Sequence, residues 1–85
     1  MDITFDPAKN EANIAKHGLS FADFRGFDAS PAVVEDDRYD YGETRFRAFG
    51  RIDGAARCLV FTVRDGVVHA ISFRKVHAKE MRRYE

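Results

Sequence analysis

Arginine dominates the chemistry that this sequence can offer. Arg45, Arg47 and Arg51 alternate around Phe49 at even spacings, which places all four on one face of a strand. Arg64 and Arg74 follow near the ends of two later segments. Guanidinium grips phosphate through two parallel hydrogen bonds, and an aromatic among such cations suits a stacked base. The plain alternative is a solvated outer face, where arginine is common. On the N-terminal side, Lys9, Asn13 and Lys16 share one helical stripe at about 100° per residue, with His17 on its shoulder. An imidazole there can move protons near neutrality, or simply favour the negative end of the helix dipole. Near the C-terminus Glu80 shares a helical face with His77 and Tyr84, while Lys79, Arg82 and Arg83 spread over the others. A carboxylate among so many cations stays ionised. It can act as a base, or do no more than form ion pairs.

The charge distribution supports a polyanionic partner. Net charge is zero, with 14 basic and 14 acidic residues. Residues 1–43 carry four basic and ten acidic side chains (4 − 10 = −6); residues 44–85 carry ten and four (10 − 4 = +6). A phosphate backbone responds to the local field and not to the sum, so the basic half suits RNA. The two halves would also attract each other within the fold.

Eighty-five residues suffice for one hydrophobic core, so a single domain over residues 1–85 is expected. A 45% hydrophobic content with eight Phe excludes a disordered tail. No apolar run approaches the roughly 18 residues of a membrane span, which excludes a helical membrane class. Met1-Asp2-Ile3-Thr4 has neither the basic start nor the apolar stretch of a secretory signal. The single Cys58 offers neither an internal disulfide nor a zinc partner. These features fit a cytoplasmic protein. Carboxylates are too scattered for a two-metal centre, so neither metal nor cofactor is expected.

The elements that must position these residues read as α+β. Ile3-Thr4-Phe5 allows only a brief edge strand. Asp6-Pro7 opens a helix that runs to His17, where Gly18 supplies the left-handed stop. Ser20 with Asp23 predicts a second, shorter helix ending near Gly26. After the turn Asp28-Ala29-Ser30-Pro31 come a short strand, Ala32 to Glu35, and an acidic loop to Glu43. Strands over 44–52, 56–64 and 67–75 are divided by Asp53-Gly54 and Asp65-Gly66, both strong hairpin signals. An arginine-rich helix from His77 to Tyr84 closes the chain. The expected architecture is two N-terminal helices and a C-terminal helix on a mainly antiparallel sheet. A two-residue turn at Asp53-Gly54 and a three-residue loop at Arg64–Gly66 would set the register. One face then holds Phe46, Leu59, Phe61, Val67, Ile71 and Phe73 as core, with His69 among them. The other presents Arg45, Arg47, Phe49, Arg51, Thr62, Ser72 and Arg74 to solvent.

Taken together, Phe5-Asp6-Pro7-Ala8-Lys9, Asn13, Lys16-His17-Gly18 and Phe21 resemble the opening of the BrnT family of bacterial toxins. Tyr41-Gly42-Glu43, Arg45, Arg47, Gly50, Thr62-Val63-Arg64, Ile71-Ser72-Phe73-Arg74, Glu80 and Tyr84 extend the resemblance over nearly the whole chain. It departs at Val76-His77-Ala78, where Ala and small polar residues are expected. The resemblance implies a ribonuclease toxin of a type II toxin–antitoxin pair, with a fold like that of the RelE toxins. It implies a BrnA-like antitoxin, a ribbon-helix-helix protein that blocks the toxin and contacts operator DNA on its behalf.

For such a nuclease the chemistry needs few parts, because RNA carries its own nucleophile, the 2′-hydroxyl. A base, cations for the phosphate oxygens and an acid for the leaving oxygen complete the set. Arg64 and Arg74 are the expected phosphate ligands, and Lys9 and His17 add charge and proton transfer. Glu80 is the expected base, with Tyr84 a stacking platform or proton donor. Arg45, Arg47, Phe49 and Arg51 would hold the RNA. The antitoxin should cover this same face, two toxins being paired through an antitoxin dimer. A non-catalytic RNA-binding module, or a protein-interaction domain docking an acidic partner, would use the same basic face without His17 or Glu80.

Overall fold

A computed structural model describes residues 3–85; Met1 and Asp2, which enter the charge count and the leader reading above, lie outside. The chain runs β1 (Ile3–Thr4), α1 (Pro7–His17), a 3-10 turn (Phe21–Asp23), β2 (Ala32–Glu35), β3 (Phe46–Ile52), β4 (Ala55–Arg64), β5 (Val67–Lys75) and α2 (Ala78–Met81). The five strands form one sheet in the order β1-β5-β4-β3-β2. Only the β1–β5 pairing is parallel. This is α+β with a mainly antiparallel sheet, as the sequence predicts. No helix among the described residues is long and apolar enough to cross a membrane.

The helical content is smaller than the sequence suggests. α1 keeps its predicted bounds: Asp6 accepts from Ala8 N–H at 2.8 Å, and Gly18 closes the helix at φ 71°. The second N-terminal helix is instead a three-residue 3-10 turn. Ser20 does cap it, but Asn10 of α1 accepts the Phe21 N–H at 2.8 Å, and Phe21 and Phe24 are both drawn into the core. Tertiary packing thus ends the helix before it can propagate. The C-terminal helix contracts to Ala78–Met81, because the Arg83 and Tyr84 N–H groups bond three residues back, to Glu80 O and Met81 O, and tighten the last turn.

Both Asp-Gly pairs make two-residue turns with positive φ at each central residue (Asp53 51°, Gly54 80°; Asp65 53°, Gly66 76°). Arg64 therefore pairs directly with Val67, and the three-residue loop expected there does not form. The register is recovered farther along by a bulge. Val60 lies opposite Ser72 but Phe61 lies opposite Ala70, which leaves Ile71 as the extra residue. Ala70 and Val68 consequently join Phe73 on the core face. Val67, His69 and Ile71 leave it, contrary to the alternation read from sequence. His69 Nδ1 instead meets Thr4 Oγ1 at 2.8 Å.

The sheet buries both faces. On the first, Phe21 and Phe24 cover Leu59, Ala70 and Phe73. On the second, Val76, Met81 and Tyr84 cover Phe49, Cys58 and Val60. The face expected to be open is thus half closed by the C-terminal segment. Asn13 anchors α1 to the sheet edge: its side-chain amide donates to Phe73 O and Leu19 O, and its oxygen accepts from Phe73 N–H. It continues, with a side chain, the edge pairing that β1 begins. Elsewhere, a Cβ on Gly50 would lie 2.6 Å from the Phe27 ring. Gly50→Ala should therefore lower stability by about 1–3 kcal/mol through overpacking, read as a reduced urea midpoint at unchanged slope.

Candidate functional site

The half-closed second face gathers three arginines and a histidine from four separate elements. Arg47 comes from β3, Arg74 from β5, Arg38 from the loop after β2, and His17 from the last turn of α1. The alternation of β2 and β3 puts Val34 opposite Arg47, and Asp36 continues that side of β2. Phe49 forms the floor. The Arg47 guanidinium lies 5.6 Å and that of Arg74 6.0 Å from its ring centroid, both within cation–π range. Tyr84 stacks on Phe49 at 3.8 Å and 4°. Beside them Cys58 is fully buried, and desolvation pushes its thiol up to about 11.

Arg74 is held by Glu80 in a two-point fork, Nη1 to Oε1 and Nη2 to Oε2, each 3.0 Å. Those hydrogen bonds lower the Glu80 pKa and raise that of Arg74. With both carboxylate oxygens engaged, Glu80 is better placed to orient Arg74 than to take a proton. Arg47 has no ionic partner among the described residues, and its Nε is buried without a hydrogen bond. Arg38 is clamped by Asp36, whose side chain is only 2% exposed: Nε reaches Oδ1 at 2.7 Å and Nη2 reaches Oδ2 at 2.8 Å. The Tyr41 hydroxyl donates to the same carboxylate at 3.2 Å.

A groove of about 240 Å³ runs between α1 and β5, lined by Lys9, Lys16, His17, Ile71 and Ser72. His17 has a lowered pKa, first through desolvation and then through the charges of Lys16 and Arg74. It is therefore neutral at pH 7, with a ring nitrogen free to accept a proton.

Other residues expected at the site stand apart. Arg64 lies at the far end of the strands: β5 reaches Arg74 opposite Cys58, whereas Arg64 is opposite Val67. From Cys58 to Arg64 along β4 is roughly 20 Å at 3.3 Å per residue, so Arg64 and Arg74 do not grip one phosphate. Arg64 and Arg45 share Glu43 instead, at 3.1 and 3.2 Å, and Arg45 lies 4.2 Å over the Tyr41 ring. Arg51 is paired with Glu85 at 2.7 Å and donates to Gly54 O. Phe49, 1% exposed beneath Tyr84, is core rather than an open stacking platform. Tyr84 is the half-buried partner on its outer side. Sequence reasoning gives no role to Arg38 and Asp36, which sit in a stretch read as an acidic loop, and cites Tyr41 only for the family resemblance.

A family model described as ribonuclease toxin, BrnT, of type II toxin-antitoxin system matches residues 5–80. No curated protein matches the chain.

Proposed function

Since the chain belongs to the BrnT family of type II ribonuclease toxins, we propose that this arginine-lined face cleaves RNA without metal, by attack of the 2′-hydroxyl. The observation that carries the reading is the pairing of Arg47, which has no ionic partner among the described residues, with the forked Arg74 over one Phe49 ring. Two such groups can receive the equatorial oxygens of one phosphate, whose charge grows as the fifth bond to phosphorus forms. The 2′-oxygen bonds to phosphorus and its proton passes to neutral His17. The bond from phosphorus to the 5′-oxygen breaks, and Lys9, in the same groove, provides a cation and a proton for the departing oxygen. Glu80 fixes Arg74, and the outer side of Tyr84 offers a base a stacking surface. Arg45, Arg51 and Arg64, each engaged by a carboxylate at the rim, act on the RNA by charge alone.

The same reading places the fold with the RelE-like toxins and the protein in the cytoplasm as a single domain. Its partner is a BrnA-like ribbon-helix-helix antitoxin, whose dimer brings two toxins together and alone contacts operator DNA. With Phe49 buried, the antitoxin must engage this face mainly through charge.

End-labelled RNA incubated with the purified protein in excess chelator should give fragments ending in a 2′,3′-cyclic phosphate and a 5′-hydroxyl. The rate should fall on acidification through a pKa below the ordinary 6.5 of histidine, and His17→Ala should lose that limb. A 5′-phosphate product, or activity abolished by the chelator, would point to a metal-activated water instead.

A further inference from the structure

We propose that Arg38 is a third phosphate-binding residue of this face, held in position by Asp36 and Tyr41. The inference rests on the reading of the face as an RNA site, and extends it to a loop that the charge pattern assigns to the acidic half.

Asp36 carries the first observation. Its carboxylate is 2% exposed, yet the guanidinium it holds is 53% exposed. An ion pair that served the fold alone would gain nothing from this asymmetry. Apolar side chains of similar volume commonly stabilise a buried position as well as a charge pair does. What the pair achieves here is placement. Both oxygens of Asp36 are taken by Nε and Nη2, and the Tyr41 hydroxyl steadies the second oxygen at 3.2 Å. Arg38 Nη1 makes no hydrogen bond among the described residues, and it remains available to a ligand.

The second observation is where that free group lies. Arg38 is near enough to Arg74 to disfavour its charged form, and near enough to Cys58 to favour the thiolate. The strand geometry agrees: Val34 lies opposite Arg47 and packs against the Phe49 cluster, and Asp36, two residues on and bonded to Arg45 O, holds Arg38 at the border of that same face. The construction also repeats that of Arg74 and Glu80, a carboxylate gripping one edge of a guanidinium and leaving the rest free. Three guanidiniums and two carboxylates leave a net positive charge at the centre, which suits adjacent phosphates of a single strand.

The test separates charge from placement. Binding is measured as a function of salt with a 2′-O-methyl RNA oligonucleotide, which lacks the nucleophile, and cleavage with the unmodified strand. Arg38→Gln should flatten the plot of log affinity against log salt by about 0.7, one phosphate contact on a single strand. It should also reduce kcat/KM by about tenfold or more. Arg38→Lys keeps the charge but cannot make the two-point fork. It should retain the slope and KM while kcat falls, and it serves if the glutamine variant loses its fold. A parent that cleaves RNA alongside an Arg38→Gln protein with the parental slope and rate would overturn the assignment of Arg38 alone. A parent that neither binds nor cleaves RNA would remove the RNA reading, and Arg38 with it.

Discussion

Arg74→Ala should reduce RNA cleavage by about 100- to 1,000-fold, the usual effect of removing one preorganised donor from a developing charge. The variant should also abolish growth inhibition on induction. Arg74 is the one arginine that touches every part of the proposed chemistry. It is forked by Glu80, it stands over the Phe49 floor, and its charge acts on His17. Its side chain is 27% exposed and its ion pair sits at the rim of the core, so truncation should cost little stability. Arg64→Ala provides the contrast. That side chain lies at the opposite end of the sheet with Glu43, and its loss should change the rate only a few-fold. Single-turnover cleavage at saturating protein distinguishes the two. Equal losses for Arg64 and Arg74 would move the reacting phosphate away from Arg74.

Phe49→Ala should unfold much of the protein. Large-to-small changes at a buried aromatic cost about 3–5 kcal/mol, a large share of the total stability of a small domain. Phe49 is 1% exposed and packs with Cys58, Val60, Val76 and Met81 under the Tyr84 ring. Urea denaturation followed by circular dichroism should show a sharply lowered midpoint. Were Phe49 an open platform for bases, its removal would leave the midpoint unchanged and weaken only RNA affinity.

These two residues mark how far the sequence could be read. Local signals were reliable: Asp6-Pro7 and Gly18 bound α1, and the Asp-Gly pairs fix both hairpin turns. Each rests on backbone preferences that act within a few residues. One error was local, the loop length at Asp65-Gly66; the others came from long-range packing. Val67, His69 and Ile71 are misplaced because Asp65-Gly66 closes a two-residue turn, and the bulge at Ile71, which nothing nearby marks, then returns Phe73 to the core face. Phe49 looked exposed because its cover, Met81 and Tyr84, arrives from a segment more than thirty residues later. Asn13 reads as part of a polar stripe, yet it substitutes for a strand at the edge of β5. The types and periodicity of Arg74, Arg47 and His17 single them out in the sequence, and the fold brings them to one side of the sheet. Arg38 is not singled out, because an acidic loop gives no sign that one carboxylate is buried and turned toward the basic face.

The parallel pairing of β1 with β5 joins Thr4 to His69, and α1 is tied to Phe73 through Asn13. The groove residues Lys9 and His17 thus come from one end of the chain, and Arg74 and Glu80 from the other. During translation these groups leave the ribosome at opposite ends of synthesis. On the proposed reading, a nascent chain that displays Lys9 and His17 still lacks the forked Arg74, so the site would be complete only once the last strand and α2 are made. Chains truncated before Arg74 should then be inactive, and activity should begin only when the last strand has folded against the first helix.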